Sequence, residues 1–106
     1  MSETIDLWVD DERTPPKDTW VWVNHPDIAI WHLQNHQVHD LALDHDLGLN
    51  MRQGHEGEEI DTRAIVMYLV EHPEDWPTGQ ITVHTSNPWG REWLEGTIKR
   101  YAPDGQ

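Results

Sequence analysis

The 106-residue sequence predicts a single α/β domain, spanning 1–106, around a mainly parallel sheet of about four strands. Three observations support this fold class. Short apolar runs recur along the chain, helical patterns separate most of these runs, and polar side chains follow each of them. Continuous apolar strands that alternate with helices are typical of parallel sheets.

The four predicted strands are continuous or rich in β-branched residues rather than strictly alternating. They span 5–9, 20–23, 41–43 and 81–83. Segment 13–19, between the first two strands, contains Pro15-Pro16 and is too short and too proline-rich for a standard helix. We therefore expect the order β, loop, β, α, β, α, β, α, with one sheet face less covered. Trp8, Trp20 or Trp22 would either shield this face or join a partner surface.

Three helices are predicted from apolar spacing and from signals at their ends. They span 26 to about 37, 58–72, and 88 to about 101. Proline stands at the start of the first and third helices, where it is well tolerated, and Pro73 ends the second. Segment 47–57 is the longest predicted loop, and it is either a lid or a flexible connection.

Composition narrows the classes of partner. With 20 acidic and 7 basic residues, the net charge is −13, so we expect no extended nucleic-acid partner. Metal cations, a small anion or a basic protein surface remain candidates. The absence of cysteine excludes disulfides and thiolate nucleophiles. No apolar run reaches the ~18 residues of a membrane span and the polar start is not a signal peptide, so we expect a cytoplasmic protein without a membrane partner.

Polar side chains follow all four predicted strands. They are Asp10-Asp11-Glu12-Arg13, Asn24-His25, Asp44-His45-Asp46 and His84-Thr85-Ser86-Asn87. In an open parallel sheet the carboxyl ends of the strands meet at one edge, where ligands of α/β folds bind. The sequence therefore predicts a site at this edge.

Three carboxylates at this edge predict a metal site. Asp10, Asp11 and Asp44 would repel one another unless a cation or a proton lies among them. Oxygen ligands suit Mg²⁺, Mn²⁺ or Ca²⁺. Asp46 and His45 are candidate additional ligands, and His84 could bind the metal or transfer protons. The alternative is that these residues serve ordinary capping and turn roles.

The segment Asn87-Pro88-Trp89-Gly90 predicts a helix start, with Asn87 as N-cap and proline at the first helical position. We expect the N–H groups near Gly90 and Arg91 to be free. Beside the hydroxyls of Thr85 and Ser86, they would form a phosphate-binding site. The alternative is a well-capped helix without a ligand.

At these same residues the sequence resembles the cyclic-phosphate-processing receiver domains, which are divergent relatives of two-component receivers. The resemblance is carried by LWVDDERTPP (7–16), WVWV (20–23), LALDHDLG (41–48) and VHTSNPWG (83–90). It implies a three-layer α/β/α receiver-like (flavodoxin-like) fold. It also implies action on a cyclic phosphate, such as a 2′,3′-cyclic RNA end or a cyclic nucleotide.

The resemblance also implies roles for individual residues. Asp10 and Asp11 match the metal-binding acid pair of receivers, Asp44 matches the phosphoacceptor aspartate, and Thr85 matches the hydroxyl after the fourth strand. The residues that match what distinguishes this family from ordinary receivers are His45, Asp46, His84, Asn87 and Gly90.

The sequence also departs from the receiver pattern near its end. Receivers have a fifth strand bearing a lysine that contacts the phosphoryl group, but only 19 residues follow Asn87, and the last predicted helix takes most of them. We therefore expect the fold to lack the fifth strand, which disfavours phosphorelay signalling. Arg91-Glu92-Trp93 is also bulkier than expected after this motif, which could narrow the substrate pocket.

The first functional hypothesis is a metal-dependent phosphoesterase that opens a cyclic phosphodiester. Mg²⁺ or Mn²⁺ would polarise the phosphoryl oxygens, and His84 or His45 would act as general acid or base. Either water or Asp44 could be the nucleophile. The residues expected to hold the phosphate are Arg13, Thr85, Ser86, Asn87, Gly90 and Arg91.

The second hypothesis is a binding module without turnover. A small, acidic domain with 7 tryptophans could sequester a cyclic nucleotide, or inhibit a basic partner protein by docking on it. Phage-encoded proteins often have this profile. A phosphorelay receiver is a third hypothesis, disfavoured by the missing lysine.

Overall fold

The structure, a computed structural model, describes residues 4–49 and 59–103. Six strands lie in this part of the chain: β1 (Thr4–Val9), β2 (Trp20–Val23), β3 (Gln37–Leu43), β4 (Asp46–Leu49), β5 (Glu59–Asp61) and β6 (Ile81–Val83). The helices are α1 (Pro26–Asn35), α2 (Arg63–Glu71) and α3 (Pro88–Tyr101), and a 3-10 turn (Pro73–Asp75) follows α2. None of the described helices is both long and apolar enough to cross a membrane.

The main sheet has four parallel strands in the order β2-β1-β3-β6. The chain moves from β1 outward to β2 and then back across to β3 on the other side of β1. The strand order therefore reverses between β1 and β3, and this reversal point is where open α/β sheets bind ligands. No fifth strand lies beside β6 in the described part of the chain. The predicted flavodoxin-like α/β fold with four parallel strands is confirmed.

The hydrophobic core lies between one face of the sheet and the helices. Leu7 and Val9 of β1 and Leu41 and Leu43 of β3 have no exposed surface. They pack against helix residues that include Leu33, Ile65, Leu69 and Leu94. Because α1 contacts α2 and α2 contacts α3, the three helices form one layer on this face. Right-handed crossovers in this strand order produce the same arrangement.

The opposite face of the sheet carries no helix among the described residues. A row across this face contains Trp22, Trp8, Ala42 and Thr82, which are register partners on successive strands. The connection from β1 to β2 approaches this face, since the indole Nε1 of Trp8 donates to the carbonyl of Arg13 at 2.9 Å. The covering layer here therefore consists of a loop and aromatic rings, as the proline-rich connection predicts. The described residues form two layers, with helices on one face, rather than the three-layer α/β/α arrangement that the resemblance implies.

Two predicted helix boundaries are wrong. The predicted 58–72 helix begins only at Arg63, because β5 precedes it and pairs antiparallel with β4 through Asp46 and Asp61. The first helix ends at Asn35 because β3 already begins at Gln37. Of the predicted 47–57 loop, residues 47–49 belong to β4, and 50–57 lie outside the described residues.

Candidate functional site

Three carboxylates meet at the carboxyl edge of the sheet, as predicted. Val9 and Leu43 end the adjacent strands β1 and β3 and are register partners, so Asp10 and Asp44 leave the sheet side by side. The amide of Asp44 donates to the carbonyl of Val9 at 2.9 Å, which extends this pairing by one step. Oxygen atoms of Asp10, Asp11 and Asp44 lie within 4.8 Å of one another. We call these three residues the acid cluster.

Asp10 is the buried and most constrained member of the acid cluster. Its side chain has no exposed surface. Its Oδ1 accepts from the amides of Glu12 and Arg13, each at 2.9 Å, and its Oδ2 lies 3.0 Å from Nε2 of His84. These three donors offset the cost of burying the carboxylate and fix its orientation.

Asp11 lies on the solvent side of the acid cluster. Burial raises the pKa of this carboxyl above its ordinary value, and the negative charges of Glu12, Asp10 and Asp44 raise it further, against an opposing backbone hydrogen bond. A cation among the three carboxylates would reverse the effect of that repulsion. An all-oxygen set of donors at this separation fits Mg²⁺ or Mn²⁺. The side chain of Asp46, a further predicted ligand, lies outside the described residues.

His45 lies between the acid cluster and the start of α3. Its amide donates to Oδ1 of Asp44 at 2.8 Å. Its ring packs so closely on Gly90 that a Cβ there would lie 2.3 Å from Cγ of His45. The ring lines a pocket of about 340 Å³ together with Asn87 and Trp93. The residues 41–48 and 83–90 singled out in the sequence are therefore in direct contact.

His84 faces away from this pocket. Its amide donates to the carbonyl of Leu43 at 2.9 Å, and its ring stacks on Trp8 with centroids 4.1 Å apart. Burial lowers the pKa of His84, although the hydrogen bond with Asp10 opposes the shift. Since the carboxylate of Asp10 accepts, Nε2 of the neutral ring donates. The other ring nitrogen, Nδ1, is buried and has no hydrogen-bond partner among the described residues.

The start of α3 differs from the expectation of free N–H groups. Oδ1 of Asn87 accepts from the amides of Trp89 and Gly90, each at 3.1 Å. The amide of Arg91 donates to the carbonyl of Asn87 at 2.9 Å, as the first hydrogen bond of the helix. The expectation is wrong because the N-cap side chain folds back over the very donors that an anion would need.

Two arginines reach consecutive carbonyls of the loop after β6. Arg13 donates to the carbonyl of His84 at 3.0 Å, and Arg91 donates to that of Thr85 at 3.1 Å. The hydroxyl oxygen of Thr85, a buried residue, accepts from the amide of Asn87 at 3.1 Å, whereas Ser86 is exposed. Both guanidinium groups thus bring positive charge to the sheet edge that carries the acid cluster.

Trp22 contributes to this region in a way that was not predicted from the sequence. Its indole Nε1 donates to the carbonyl of Asp10 at 2.8 Å, which connects the aromatic face of the sheet to the acid cluster. Trp22 also lines a pocket of about 380 Å³ with Asp11 and Ile28. The signal was present in the alternation of WVWV, which turns Trp22 away from the core at the carboxyl end of β2.

The four-stranded parallel sheet and the acid cluster at its reversal point define a receiver-type α/β domain. The family described as Cyclic-phosphate processing Receiver domain matches residues 5–100, nearly the whole chain. The protein belongs to this family. No curated protein and no solved structure gives a significant match. The resemblance noted in the sequence is therefore confirmed, and the family name points to the processing of cyclic phosphates.

Proposed function

We propose that the protein is a metal-dependent phosphoesterase that hydrolyses a cyclic phosphate. The observation that carries this proposal is the acid cluster, with its oxygens within 4.8 Å of one another, in a chain of this family. The reaction adds one water. Its oxygen bonds to phosphorus, one P–O bond of the ring breaks, and the departing oxygen takes a proton to give a hydroxyl beside a phosphomonoester.

Asp10, Asp11 and Asp44 would hold Mg²⁺ or Mn²⁺, and Asp46 is proposed as a further ligand. When bound, such an ion polarises the phosphoryl oxygens and offsets the repulsion between carboxylates and phosphate. The close approach of the three carboxylates supports this, because their mutual repulsion is relieved when a cation lies among them.

His45 is the better candidate for proton transfer to the departing oxygen. Its ring lines a pocket, its backbone amide donates to Asp44 of the acid cluster, and histidine is the side chain that most often transfers protons in catalysis. His84 has one ring nitrogen on Asp10 and the other buried. We therefore propose His84 as a positioning residue that orients Asp10. The nucleophile is either water or Asp44.

Arg13, Thr85 and Ser86 are proposed to contact the phosphate. The Arg13 guanidinium lies against the carbonyl of His84, next to the acid cluster. Arg91 contributes charge from the other side of the same loop. Gly90 and Asn87 have a different role in this proposal, since their contact with each other shapes the wall that carries His45.

The experiment is hydrolysis of a panel of cyclic phosphates followed by mass spectrometry. The panel holds 2′,3′-cyclic mononucleotides, 3′,5′-cyclic mononucleotides and cyclic oligonucleotides, each with Mg²⁺, Mn²⁺ or EDTA. We expect a gain of one water on at least one member, dependent on metal and lost in Asp44→Asn. Asp18→Asn, an exposed aspartate outside the acid cluster, is the matched control and retains activity. Full activity of folded Asp44→Asn, or activity that persists in EDTA, would overturn the proposal.

A binding module without turnover is the second candidate. One observation favours it: the oxygens of Asp10 and the first amides of α3 are already engaged within the protein. Such a module would sequester a small cyclic nucleotide or dock on a basic partner protein. Tight binding with intact ligand recovered after long incubation with metal would support it over the phosphoesterase.

A further inference from the structure

The pocket beside Asp11 lies at the carboxyl end of β2. It measures about 380 Å³ and is lined by Asp11, Trp22, Val23, Asn24 and Ile28. Trp22 and Ile28 are each 46% exposed, and they present two apolar surfaces to the same opening. Apolar walls combined with a few polar groups are typical of small-molecule sites.

The Trp22 ring is fixed relative to the acid cluster. Its Nε1 donates to the carbonyl of Asp10 at 2.8 Å, so the ring plane is held before any ligand arrives. An indole that is both exposed and immobilised suits stacking of a flat aromatic group, because little side-chain entropy is lost on binding.

Asp11 belongs both to the acid cluster and to this pocket. Strand β2 lies next to β1, at the usual spacing of about 4.8 Å. A ligand whose phosphate lies at the acid cluster therefore extends onto Trp22 within the span of one nucleotide. The exposed amide of Asn24 offers both a donor and an acceptor for the polar edge of a base.

The pocket that contains His45 is the competing position for a base. It is also aromatic, with Trp89 81% exposed at its rim. It contains no carboxylate of the acid cluster, and its wall includes the ion pair of Arg63 with Asp61, at 2.9 Å. Compared with this pocket, the pocket lined by Trp22 and Asp11, which we call the Trp22 pocket, is more apolar. It is also directly connected to the acid cluster through Asp11.

We propose that the Trp22 pocket binds the base of the substrate by stacking, so that the substrate class is nucleoside cyclic phosphates rather than cyclic phosphates of other alcohols. This inference rests on the proposed function for the position of the phosphate. Trp22 and Ile28 would then determine specificity, whereas the acid cluster would act on the phosphate whatever its substituent.

The test compares two substrates that differ only in the base. They are adenosine 2′,3′-cyclic phosphate and the 2′,3′-cyclic phosphate of methyl riboside, which has no base. Because base–aromatic stacking is worth about 1–3 kcal/mol, we expect kcat/KM to favour the nucleotide by about 5- to 150-fold. The ratio of the two values should fall toward one in Trp22→Leu and decrease in Ile28→Ala. Using the ratio removes any disturbance of Asp10, since both substrates depend on it equally.

Three further variants separate stacking from other effects. Trp22→Phe keeps an aromatic face but loses the Nε1 hydrogen bond, so it should retain most of the preference. Trp31→Leu is the matched control, because Trp31 is 52% exposed on α1 but does not line the pocket. Loss of the preference in Trp89→Leu, with its retention in Trp22→Leu, would overturn the inference in favour of the His45 pocket.

A binding measurement keeps the inference separate from the proposed function. Ligand-detected NMR with the same two compounds, in EDTA and in Mg²⁺, needs no turnover. If neither compound is hydrolysed, the proposed function fails for this class. A preference for adenosine 2′,3′-cyclic phosphate that Trp22→Leu removes would still support the base pocket. Equal binding of the two compounds, or equal kcat/KM in the unmodified protein, would overturn the base pocket.

Discussion

Gly90 and His45 are packed together so tightly that the glycine has no room for a side chain. A methyl group on Gly90 would lie 2.3 Å from Cγ and 2.5 Å from Cδ2 of the His45 ring. This contact connects the first turn of α3 to the residue that follows Asp44. The orientation of His45 therefore depends on the absence of a Cβ at position 90.

Gly90→Ala should destabilise the protein although alanine favours helices. The overlap with His45 requires a shift of the ring or of α3, and overpacking of this kind costs about 1–3 kcal/mol. Gly96→Ala is the matched control in the same helix, because a Cβ there meets nothing within 4 Å. It should stabilise the fold by up to about 1 kcal/mol. Urea denaturation measures both variants, and a stabilised Gly90→Ala would contradict the described contact.

Asp11→Asn should raise the melting temperature of the metal-free protein. Burial and the neighbouring carboxylates raise the pKa of Asp11, so its charged form at neutral pH opposes folding. The substitution removes that charge and should also reduce the stabilisation produced by Mg²⁺ or Mn²⁺. Thermal unfolding in EDTA and in metal tests both effects, with Asp18→Asn as the exposed control. If Asp11→Asn melted at a lower temperature than the unmodified protein in EDTA, the prediction would be wrong, because Asp11 would then stabilise the fold without a cation.

Asn87→Ala should lose the cap of α3. The amides of Trp89 and Gly90 would lose their acceptor, and removal of such a cap costs about 1 kcal/mol. Asn87→Ser retains a side-chain acceptor and should recover most of that stability. Hydrogen exchange at these two amides should become faster in the alanine variant alone. Unchanged exchange in Asn87→Ala would argue against the capping role.

Acid should destabilise the protein partly through His32. Burial lowers the pKa of His32 below its ordinary value of 6.5, and His36 lowers it further, so the folded state favours the neutral ring. In the unfolded chain the ring takes a proton more readily. The stability associated with neutral His32 is therefore present above pH 6.5 and is lost as pH falls below that value.

The variant His32→Gln tests this pH dependence. It cannot take up the proton, so its free energy of unfolding should fall less than that of the unmodified protein between pH 7.5 and pH 5. Urea denaturation at the two pH values provides the comparison. An equal decrease in both proteins would exclude His32 as a contributor.

The main sheet and most helix ends could be predicted from sequence because their signals are local. Pro26 and Pro88 stand where α1 and α3 begin, and β2 and β6 coincide with apolar runs. The β4–β5 pair could not be predicted, because its strands are short and its pairing joins Asp46 to Asp61 across the chain. Segment 59–61 also continues the helical spacing of the residues after it, so tertiary pairing overrides the local pattern there.

The acid cluster could be predicted because neighbouring parallel strands end at the same edge of the sheet. This placement does not depend on side-chain conformation. The engagement of Asn87 with the first amides of α3 follows from its predicted N-cap role, and it occupies the N–H groups that were expected to be free. The stacking of His84 on Trp8 joins residues 76 positions apart (84 − 8), which local sequence patterns do not specify. Site composition was therefore predictable, whereas the direction of each side chain was not.

The position of β1 has a consequence for how the chain folds. Strand β1 lies inside the sheet, between β2 and β3, and Leu7 pairs with Leu41, 34 residues later (41 − 7), while Leu41 pairs with Ile81, 40 residues later (81 − 41). Loops of this length must close before the pairings become favourable, which slows folding. During translation, β1 can first pair only with its near neighbour β2. The pairing of β1 with β3, which brings Asp10 and Asp44 together, closes a longer loop than the pairing of β1 with β2, so the acid cluster forms after the β1–β2 pair.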